Sequence, residues 1–236
     1  MTTTALITGA NKGIGYEIAR QFGEQGITAI VGARDEERGR AAADRLGQPY
    51  VRLDVTDEAG VQAAAEWIER EYGALDILVN NAGVAVLQDD LRPSATSAAA
   101  LRQTYEVNVF GVVIVTNAML PLLRKAPAAR IVNLSSELGS LTVAADPDSP
   151  FWPRNFLAYN SSKSALNMLT LSYAKELWGT PIKVNLANPG FCATDLNAHT
   201  GFRTAEQGAA VAVRLATLDA DGPTGAFFQE EGPLPW

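Results

Sequence analysis

Short apolar runs alternate with helical stretches along almost the whole chain. Several of the runs, such as Ala5-Leu6-Ile7-Thr8, are apolar on both faces, which is typical of strands buried between two layers of helices. Seven runs are predicted to be strands: 5–8, 27–31, 50–53, 76–79, 130–134, 182–187 and 225–228. Because strands alternate with helices, we expect right-handed βαβ units in a parallel sheet.

The segments between the strands carry helical periodicity. The first helix follows Gly15 and is predicted to be capped by Gly26. The other predicted helices cover 36–46, 57–72 with Asp57 as its cap, 98–125 with a break near Pro121, 159–178 and 204–218. We therefore predict an α/β fold with a single domain over 1–236. It is a doubly wound, Rossmann-like parallel sheet of about seven strands with helices on both faces, and its substrate loops are at about 137–158 and 191–204.

Composition narrows the class of protein further. The chain has 236 residues, of which 47% are hydrophobic and 19% charged, so a full core is expected. A net charge of -7 argues against nucleic acid or an anionic membrane as the main partner. Cys192 is the only cysteine, which fits a cytoplasmic setting. We see no signal peptide and expect no membrane span, because no uninterrupted apolar stretch reaches about 18 residues.

Glycine-rich and polar stretches follow six places where predicted strands end. The carboxyl ends of parallel strands lie along one edge of the sheet, and ligands of such sheets bind there. The stretches are Thr8–Gly15, Ala33-Arg34, Asp54, Asn80–Gly83, Ser136 and Pro189-Gly190. We therefore expect the functional site at this edge.

The first of these stretches has the spacing G-x-x-x-G-x-G, at Gly9, Gly13 and Gly15. Glycines let the backbone approach a pyrophosphate, and the N-terminus of the next helix offers free N–H groups to it. A glycine-rich turn without a ligand would have the same appearance. Its position after the first strand favours a dinucleotide site.

The turn after the second strand bears on which dinucleotide is bound. An acidic residue there would accept a hydrogen bond from the 2′-hydroxyl of NAD, but this chain has Ala33 followed by Arg34, with Lys12 in the glycine loop. Two cations without an acid suit the 2′-phosphate of NADP(H). The open alternative is that both are ordinary solvated charges, and the nearby Asp35 weakens the case.

Tyr159 and Lys163 are four residues apart and lie on one face of a predicted helix. An adjacent ammonium lowers the pKa of a phenol and makes it a usable general acid or base. Taken alone, a surface Tyr–Lys pair is the plainer interpretation. Asn108 lies in an apolar helical run and could equally be a satisfied core amide. His199 has no acidic or cysteine cluster beside it, so no metal site is expected.

Taken in chain order, these motifs resemble the short-chain dehydrogenase/reductase family over nearly the whole chain. The matching motifs are Thr8-Gly9-x-x-x-Gly13-x-Gly15, Asn80-Asn81-Ala82-Gly83, Asn108, Ser136, Tyr159-x-x-x-Lys163 and Pro189-Gly190. Within the family, residues 9–15, 33–35, 53–55 and the final Trp236 are similar to the NADPH-dependent carbonyl reductases. The resemblance implies a catalytic tetrad of Asn108, Ser136, Tyr159 and Lys163.

The resemblance also implies a set of cofactor contacts. Asp54 would lie near the adenine, Asn81 and Gly83 near its ribose, and Thr194 near the nicotinamide amide and the pyrophosphate. The implied set is Gly9, Asn11, Lys12, Gly13, Ile14, Gly15, Arg34, Asp54, Val55, Asn81, Ala82, Gly83, Tyr159, Lys163, Pro189, Gly190 and Thr194. One departure is the 22 residues between Ser136 and Tyr159, which exceed the family's common spacing. The extra loop resembles, but is shorter than, the insertion of monomeric carbonyl reductases.

The implied activity is reduction of a ketone or aldehyde with NADPH. Ser136 and Tyr159 would donate hydrogen bonds to the carbonyl oxygen, and Tyr159 would protonate the alkoxide. Lys163 would lower the pKa of the phenol and hold the nicotinamide ribose, while Asn108 would fix a water molecule. Two alternatives stay open: a non-catalytic, NADP(H)-sensing protein of the same fold, and an isomerase or dehydratase of the extended family. The 46 residues after Gly190 leave little room for the larger substrate domain of the latter.

The expected partner is a small carbonyl or alcohol substrate. Aromatic residues near the two loops either line a hydrophobic pocket or pack the loops against themselves: Phe151, Trp152, Phe156 and Phe191. The helix that begins near Tyr159 is apolar on more than one side, through Ala165, Leu166, Met168, Leu169 and Leu171. This pattern predicts a homodimer or homotetramer, unless segment 137–158 covers that face.

Overall fold

Eight strands form one sheet in the computed structural model, which describes residues 2–86 and 92–236. They are β1 (Thr4–Thr8), β2 (Thr28–Ala33), β3 (Tyr50–Arg52), β4 (Ile77–Asn80), β5 (Arg130–Leu134), β6 (Lys183–Ala187), β7 (Phe227–Gln229) and β8 (Gly232–Pro233). Across the sheet their order is β3-β2-β1-β4-β5-β6-β7-β8. The order reverses direction between β1 and β4, and such a switch point opens a crevice at the carboxyl ends of the strands.

All seven predicted strands are present, so the predicted fold class is confirmed. The eighth strand, β8, was missed because it is only Gly232-Pro233, two residues that are unfavourable in strand interiors. It pairs antiparallel with β7 at the sheet edge, where Phe228 lies opposite Pro233 and proline is tolerated.

Helices cover both faces of the sheet. They are α1 (Gly13–Glu24), α2 (Glu36–Leu46), α3 (Glu58–Tyr72), α4 (Ala98–Tyr105), α5 (Gly111–Leu123), α6 (Leu141–Ala144), α7 (Leu157–Glu176) and α8 (Ala205–Ala216). One core cluster places α1, α2 and α8 against the sheet, and the other places α3, α5 and α7 against it. Short α6 and a 3₁₀ turn at Glu137–Gly139 lie in the predicted loop 137–158, which is therefore less irregular than expected.

The predicted helix break near Pro121 is wrong. Pro121 lies inside α5 close to its end, where a missing N–H affects only the last turns. The irregularity is instead a π-helical turn, Glu106–Phe110, which joins α4 to α5 and contains Asn108. The run Ala98–Leu123 is long and apolar enough to cross a membrane, but half of its apolar 18-residue window is buried within the fold, and buried core helices have the same length and composition.

A chain of buried polar side chains ties the carboxyl ends of the central strands to two helices. Asn80 Nδ2 donates to Asn133 Oδ1 (2.8 Å) and to Thr116 Oγ1 (3.1 Å). Asn133 Nδ2 donates in turn to Thr170 Oγ1 (2.8 Å). Hydrogen bonds of this kind are strong in a buried setting, so they fix β4, β5, α5 and α7 relative to one another directly beneath the catalytic edge.

Candidate active site

Lys163 lies on α7 with its side chain buried at the end of β5. Lys163 is 6% exposed, and its Nζ donates to the carbonyl oxygen of Leu134 at 2.8 Å. The same Nζ lies 5.7 Å from the centroid of the Tyr159 ring. Burial lowers the pKa of this lysine to about 8, because an ammonium loses hydration inside the fold. The structure therefore brings Tyr159 and Lys163 together, as the spacing predicts.

The Tyr159 phenol is not tuned toward neutral pH by the chain itself, and this corrects the prediction. Its pKa is raised to about 12: burial is the largest cause, the Glu137 carboxyl acts in the same direction, and the Ser136 hydroxyl acts in the opposite direction. The phenol is thus protonated at neutral pH.

Ser136 lies two residues after the end of β5 and is the serine that faces the phenol. The Ser136 hydroxyl acts to lower the pKa of the Tyr159 phenol, and its Oγ accepts from the backbone N–H of Leu138 at 3.2 Å. Ser135 points the other way, and its hydroxyl donates to Asn167 Oδ1 at 2.6 Å. The choice of Ser136 over Ser135 as the site residue therefore agrees with the geometry.

The Asn108 side chain is fully used by the protein. Its Oδ1 accepts from the backbone N–H of Val84 (2.8 Å), and its Nδ2 donates to the Val84 carbonyl (2.9 Å) and to Ser162 Oγ (3.0 Å). The role predicted for Asn108, holding a water molecule, stays a prediction. Asn108 does lie beside the tetrad, since a Cβ on Gly83 would be 3.4 Å from its Oδ1 and 3.7 Å from Lys163 Nζ.

The glycine loop packs closely on Asn81 and Ala82, the residues that follow β4. There is no room for a side chain at Gly9 or Gly15. A Cβ on Gly15 would lie 2.4 Å from Asn81 Nδ2 and 2.7 Å from the Gly9 carbonyl oxygen. Gly9 has a left-handed backbone with φ of 66°, and its Cβ would be 3.0 Å from Ala82 Cα. Within Gly13–Tyr16, the first turn of α1 carries no acidic side chain. This cradle, with free N–H groups, fits a pyrophosphate.

Asn81 holds the loop in place. Its Nδ2 donates to the carbonyls of Thr8 (2.8 Å) and Gly9 (3.2 Å), and Thr8 Oγ1 accepts from the backbone N–H groups of Asn81 (3.0 Å) and Ala82 (2.9 Å). The amide predicted to lie near the adenosine ribose is thus engaged in shaping the loop. Its signal in the sequence, two asparagines after a buried strand, does not distinguish these roles.

The turn after β2 has its only carboxylate directed away from the cleft. Asp35 caps α2, and its Oδ1 accepts from the backbone N–H of Arg38 at 2.9 Å. Ala33 is buried, and Arg34 is exposed without an ion pair in the described part of the chain. Asp35 therefore does not turn inward, and Arg34 is available for an anionic ligand.

Unlike Arg34, Lys12 forms an ion pair within the protein. Its Nζ pairs with Asp195 Oδ2 at 2.5 Å, and the other oxygen of Asp195 is 2.8 Å from His199 Nε2. The prediction placed Lys12 beside the 2′-phosphate with Arg34, whereas here it reaches across to the second substrate loop. Thr194 lies next to this contact, since a Cβ on Gly13 would be 3.6 Å from its Cγ2. Thr194 is therefore at the glycine loop, as the resemblance implies.

Other residues of the predicted cofactor set differ in what they can offer. Asp54 accepts from the N–H and hydroxyl of Thr56 in a local turn, at 3.1 and 2.8 Å. Val55 is 8% exposed and packs on the π-turn end of α5, because a Cβ on Gly111 would be 2.7 Å from its Cγ2. Only the backbone of Val55 is left for a ligand. Four further members lie along the same edge: Asn11, Ile14, Pro189 and Gly190.

A model of the short chain dehydrogenase family matches residues 3–205. The chain belongs to this family. A short-chain dehydrogenase of Penicillium roqueforti is 40% identical over 90% of this chain and 87% of its own length. A carbonyl reductase [NADPH] of Bos taurus is 32% identical over 98% of both chains. The crystal structure of NADPH-bound carbonyl reductase from chicken fatty liver superposes with a TM-score of 0.86 at 27% identity, covering 100% of this chain and 99% of that one.

In this short-chain dehydrogenase, an exposed aromatic pair lies on the second substrate loop. The rings of Phe191 and Phe202 meet edge to face with centroids 6.0 Å apart, and Phe202 is 84% exposed. Trp152 on the first loop is also exposed. The Phe191–Phe202 contact is packing within the loop, and a hydrophobic pocket lined by these aromatic residues stays a prediction. In residues 2–86 and 92–236, no cluster of three potential metal ligands is present.

Sequence reasoning missed one residue at the dehydrogenase site, Glu137. It follows Ser136, is 8% exposed, and one carboxylate oxygen, Oε2, has no hydrogen-bond partner. Burial raises the pKa of this carboxyl above its usual range. A charged residue after a strand usually marks a solvated loop, so the available signal was only its adjacency to Ser136.

Proposed function

We propose that this dehydrogenase reduces a ketone or aldehyde to an alcohol with NADPH. The observation that carries the proposal is the convergence of the Ser136 and Tyr159 hydroxyls at the end of β5, beside the buried Lys163. Two hydroxyl donors at one point can bind a single carbonyl oxygen and stabilise the negative charge that develops on it. A non-catalytic cofactor sensor would have no use for this arrangement.

The role proposed for each residue follows from its position in the site. NADPH supplies the hydride. Ser136 and Tyr159 orient the carbonyl oxygen, and Tyr159 gives up its proton as the oxygen becomes an alkoxide, which is more basic than a phenolate even with a phenol pKa of about 12. Lys163 provides a buried donor next to Gly83 that suits the hydroxyls of a ribose. Asn108 shapes this wall by binding Val84 and Ser162.

The cofactor assignment rests on the end of β2. Arg34 offers a guanidinium, Ala33 offers no carboxylate, and Asp35 is bound to the N-terminus of α2. A 2′-phosphate complements this charge arrangement better than a hydroxyl does. Two proteins similar to this chain are a carbonyl reductase [NADPH] and an NADPH-bound carbonyl reductase, which agrees with this assignment. The glycine cradle formed by Gly9, Gly13 and Gly15 accommodates the pyrophosphate.

The substrate is a small molecule with an apolar body. Phe191, Leu196 and Phe202 expose hydrophobic side chains on the loop that follows β6. Isolated exposed apolar residues are ordinary, but three on one loop beside a catalytic edge favour an apolar substrate that covers them when bound. Relatives that the chain resembles include reductases of carbonyl compounds, which agrees with this class.

The test is NADPH oxidation by the purified protein with a panel of ketones and aldehydes. Tyr159→Phe should bind NADPH normally and lose turnover by about two orders of magnitude or more. Tyr173→Phe is the matched control, because Tyr173 lies on the same helix and donates to Asn117 Oδ1 away from the tetrad. Turnover by Tyr159→Phe equal to that of Tyr173→Phe would remove Tyr159 from the mechanism.

A further inference from the structure

An ion pair joins the second substrate loop to the glycine loop. Lys12 Nζ lies 2.5 Å from Asp195 Oδ2, although the two residues are 183 positions apart in the sequence. Thr194 adds a second contact, because a Cβ on Gly13 would be 3.6 Å from its Cγ2 and 3.9 Å from its Cβ. The substrate loop therefore rests on the start of α1, where the cradle for the pyrophosphate lies.

Asp195 is held in its orientation from within the loop. Its other oxygen, Oδ1, is 2.8 Å from His199 Nε2. Ala198 and His199 have φ of 51° and 61°, and within residues 2–86 and 92–236 they are the only residues other than glycine with positive φ. Such backbone is unfavourable for a residue with a Cβ and persists where surrounding contacts require it. This turn brings the imidazole back onto Asp195, and the His199 N–H donates to the Thr194 carbonyl at 2.9 Å.

The ion pair is charged and accessible to solvent. The Lys12 ammonium lowers the pKa of the Asp195 carboxyl below its usual value, and His199 acts in the same direction. The side chains of Lys12 and Asp195 are 56% and 54% exposed. Exposed ion pairs are weak and are screened by salt, so this contact can open readily.

We propose that Lys12 and Asp195 form a clasp that closes the second substrate loop over the pyrophosphate cradle and slows the exchange of NADP(H). The inference rests on cofactor binding in this cradle and does not depend on the proposed carbonyl reduction. Because Thr194 and Asp195 lie on Gly13 and Lys12, a dinucleotide that enters or leaves the cradle has to open this contact. Opening of a loop limits the turnover of many enzymes, so the clasp bears on the rate at which used cofactor is released.

A clasp and a simple charge effect predict different rates. The negative charge of Asp195 alone would repel an anionic cofactor, so its removal would speed association and slow release. Loss of a clasp speeds both association and release, because it lowers a barrier that the cofactor crosses in both directions. The direction of the change in the release rate therefore distinguishes the two.

The experiment measures association and release of NADPH by stopped-flow fluorescence, with release followed after mixing with excess NADP⁺. An exposed ion pair changes an equilibrium by at most about fivefold, so release from Asp195→Asn should be about two- to fivefold faster, and association should also be faster. Glu176→Gln is the matched control and should change neither rate. Glu176 is 52% exposed, pairs with Arg124 at 2.9 Å and lies at the opposite end of α7 from Tyr159.

A second set of measurements isolates the contact itself. Lys12→Met removes the other half of the clasp, so Asp195→Asn should not accelerate release further when it is combined with Lys12→Met. Higher salt should reduce the difference between wild type and Asp195→Asn, because salt screens an exposed ion pair. Release of NADH should be accelerated at least as much as that of NADPH, because NADH has no 2′-phosphate to draw Lys12 away from Asp195.

Three results would overturn the clasp even if carbonyl reduction is observed. The first is unchanged or slower release of both cofactors from Asp195→Asn. The second is an acceleration that persists in full in the Lys12→Met background, because Asp195 would then act without Lys12. The third is an acceleration confined to NADPH, because Asp195 would then act on the phosphate and not on the loop. Release rates that change as expected without reduction of any ketone or aldehyde would support the clasp and refute the proposed carbonyl reduction.

Discussion

Replacement of Arg34 by methionine should weaken the preference for NADPH over NADH. Arg34 stands at the end of β2 with an exposed side chain, and in the described ranges it forms no ion pair that a ligand would have to displace. Methionine keeps much of the aliphatic length of the side chain and removes its charge. Ala33 and the helix cap at Asp35 stay in place, so the change isolates one guanidinium.

The expected loss can be worked out from the strength of a charge-assisted hydrogen bond. Such a bond contributes about 1.5 to 3 kcal/mol, which corresponds to a factor of about 10 to 150 in kcat/KM. The side chain is exposed, so solvent and salt screen it and the lower end applies. Lys12 should add less than Arg34, because Asp195 competes for its ammonium.

The assay compares kcat/KM for NADPH and NADH at low and high salt. For Arg34→Met, the NADPH value should fall about tenfold, while the NADH value stays near that of wild type. Arg38→Met is the matched control, because Arg38 is similarly exposed on α2 but lies near the Asp35 carboxylate, at 3.7 Å. An unchanged ratio of the two efficiencies in Arg34→Met would show that Arg34 is an ordinary surface charge.

Three further predictions concern stability, assembly and pH. Asp35→Ala should lower the free energy of unfolding by about 1 kcal/mol through loss of the α2 cap, yet leave cofactor preference intact; a switch toward NADH would contradict the cap assignment. Light scattering at micromolar protein should show a homodimer or homotetramer, and Met168→Glu should dissociate it. Met168 is 56% exposed on α7 and is not covered by segment 137–158, so it is available for such an interface. A monomeric wild type would refute this prediction. The pKa of Lys163 falls from 10.5 to about 8 on folding, so the unfolded chain binds more protons between these values. Stability measured by denaturant from pH 8 to 10 should thus rise in wild type and stay flatter in Lys163→Met, and equal slopes would contradict the burial of a charged lysine.

The sequence was sufficient for the fold because its strands are apolar on both faces and end in glycine or polar residues. The apolar sequences of residues 5–8 and 130–134 predict buried strands without any knowledge of the neighbouring strands. β8 could not be predicted, since Gly232 and Pro233 pair only because β7 lies beside them. The π-turn at Asn108 is likewise a tertiary effect, because its side chain bonds to Val84, distant in sequence.

The sequence predicted the positions of the site residues, but not the pKa values and contacts that their side chains acquire on folding. The positions of Ser136, Tyr159 and Lys163 followed from motif spacing, but the pKa of Tyr159 did not. An isolated Tyr–Lys pair predicts a lowered pKa, whereas burial and the neighbouring Glu137 raise it. Lys12 was assigned to a phosphate by its place in the glycine loop, and its pairing with Asp195 required knowledge of a loop 183 residues away.

The second substrate loop is anchored at a single narrow base. Cys192 and Arg203 pair as an isolated bridge, with the Ala193 N–H bonded to the Arg203 carbonyl at 2.8 Å and the Arg203 N–H to the Phe191 carbonyl at 3.1 Å. Apart from Thr194 and Asp195, which contact the glycine loop, the residues between these two positions can change in number without moving β6 or α8. The loop is therefore an exchangeable cassette: grafting longer or shorter segments between the two anchors offers a route to new substrate ranges on an unaltered catalytic frame.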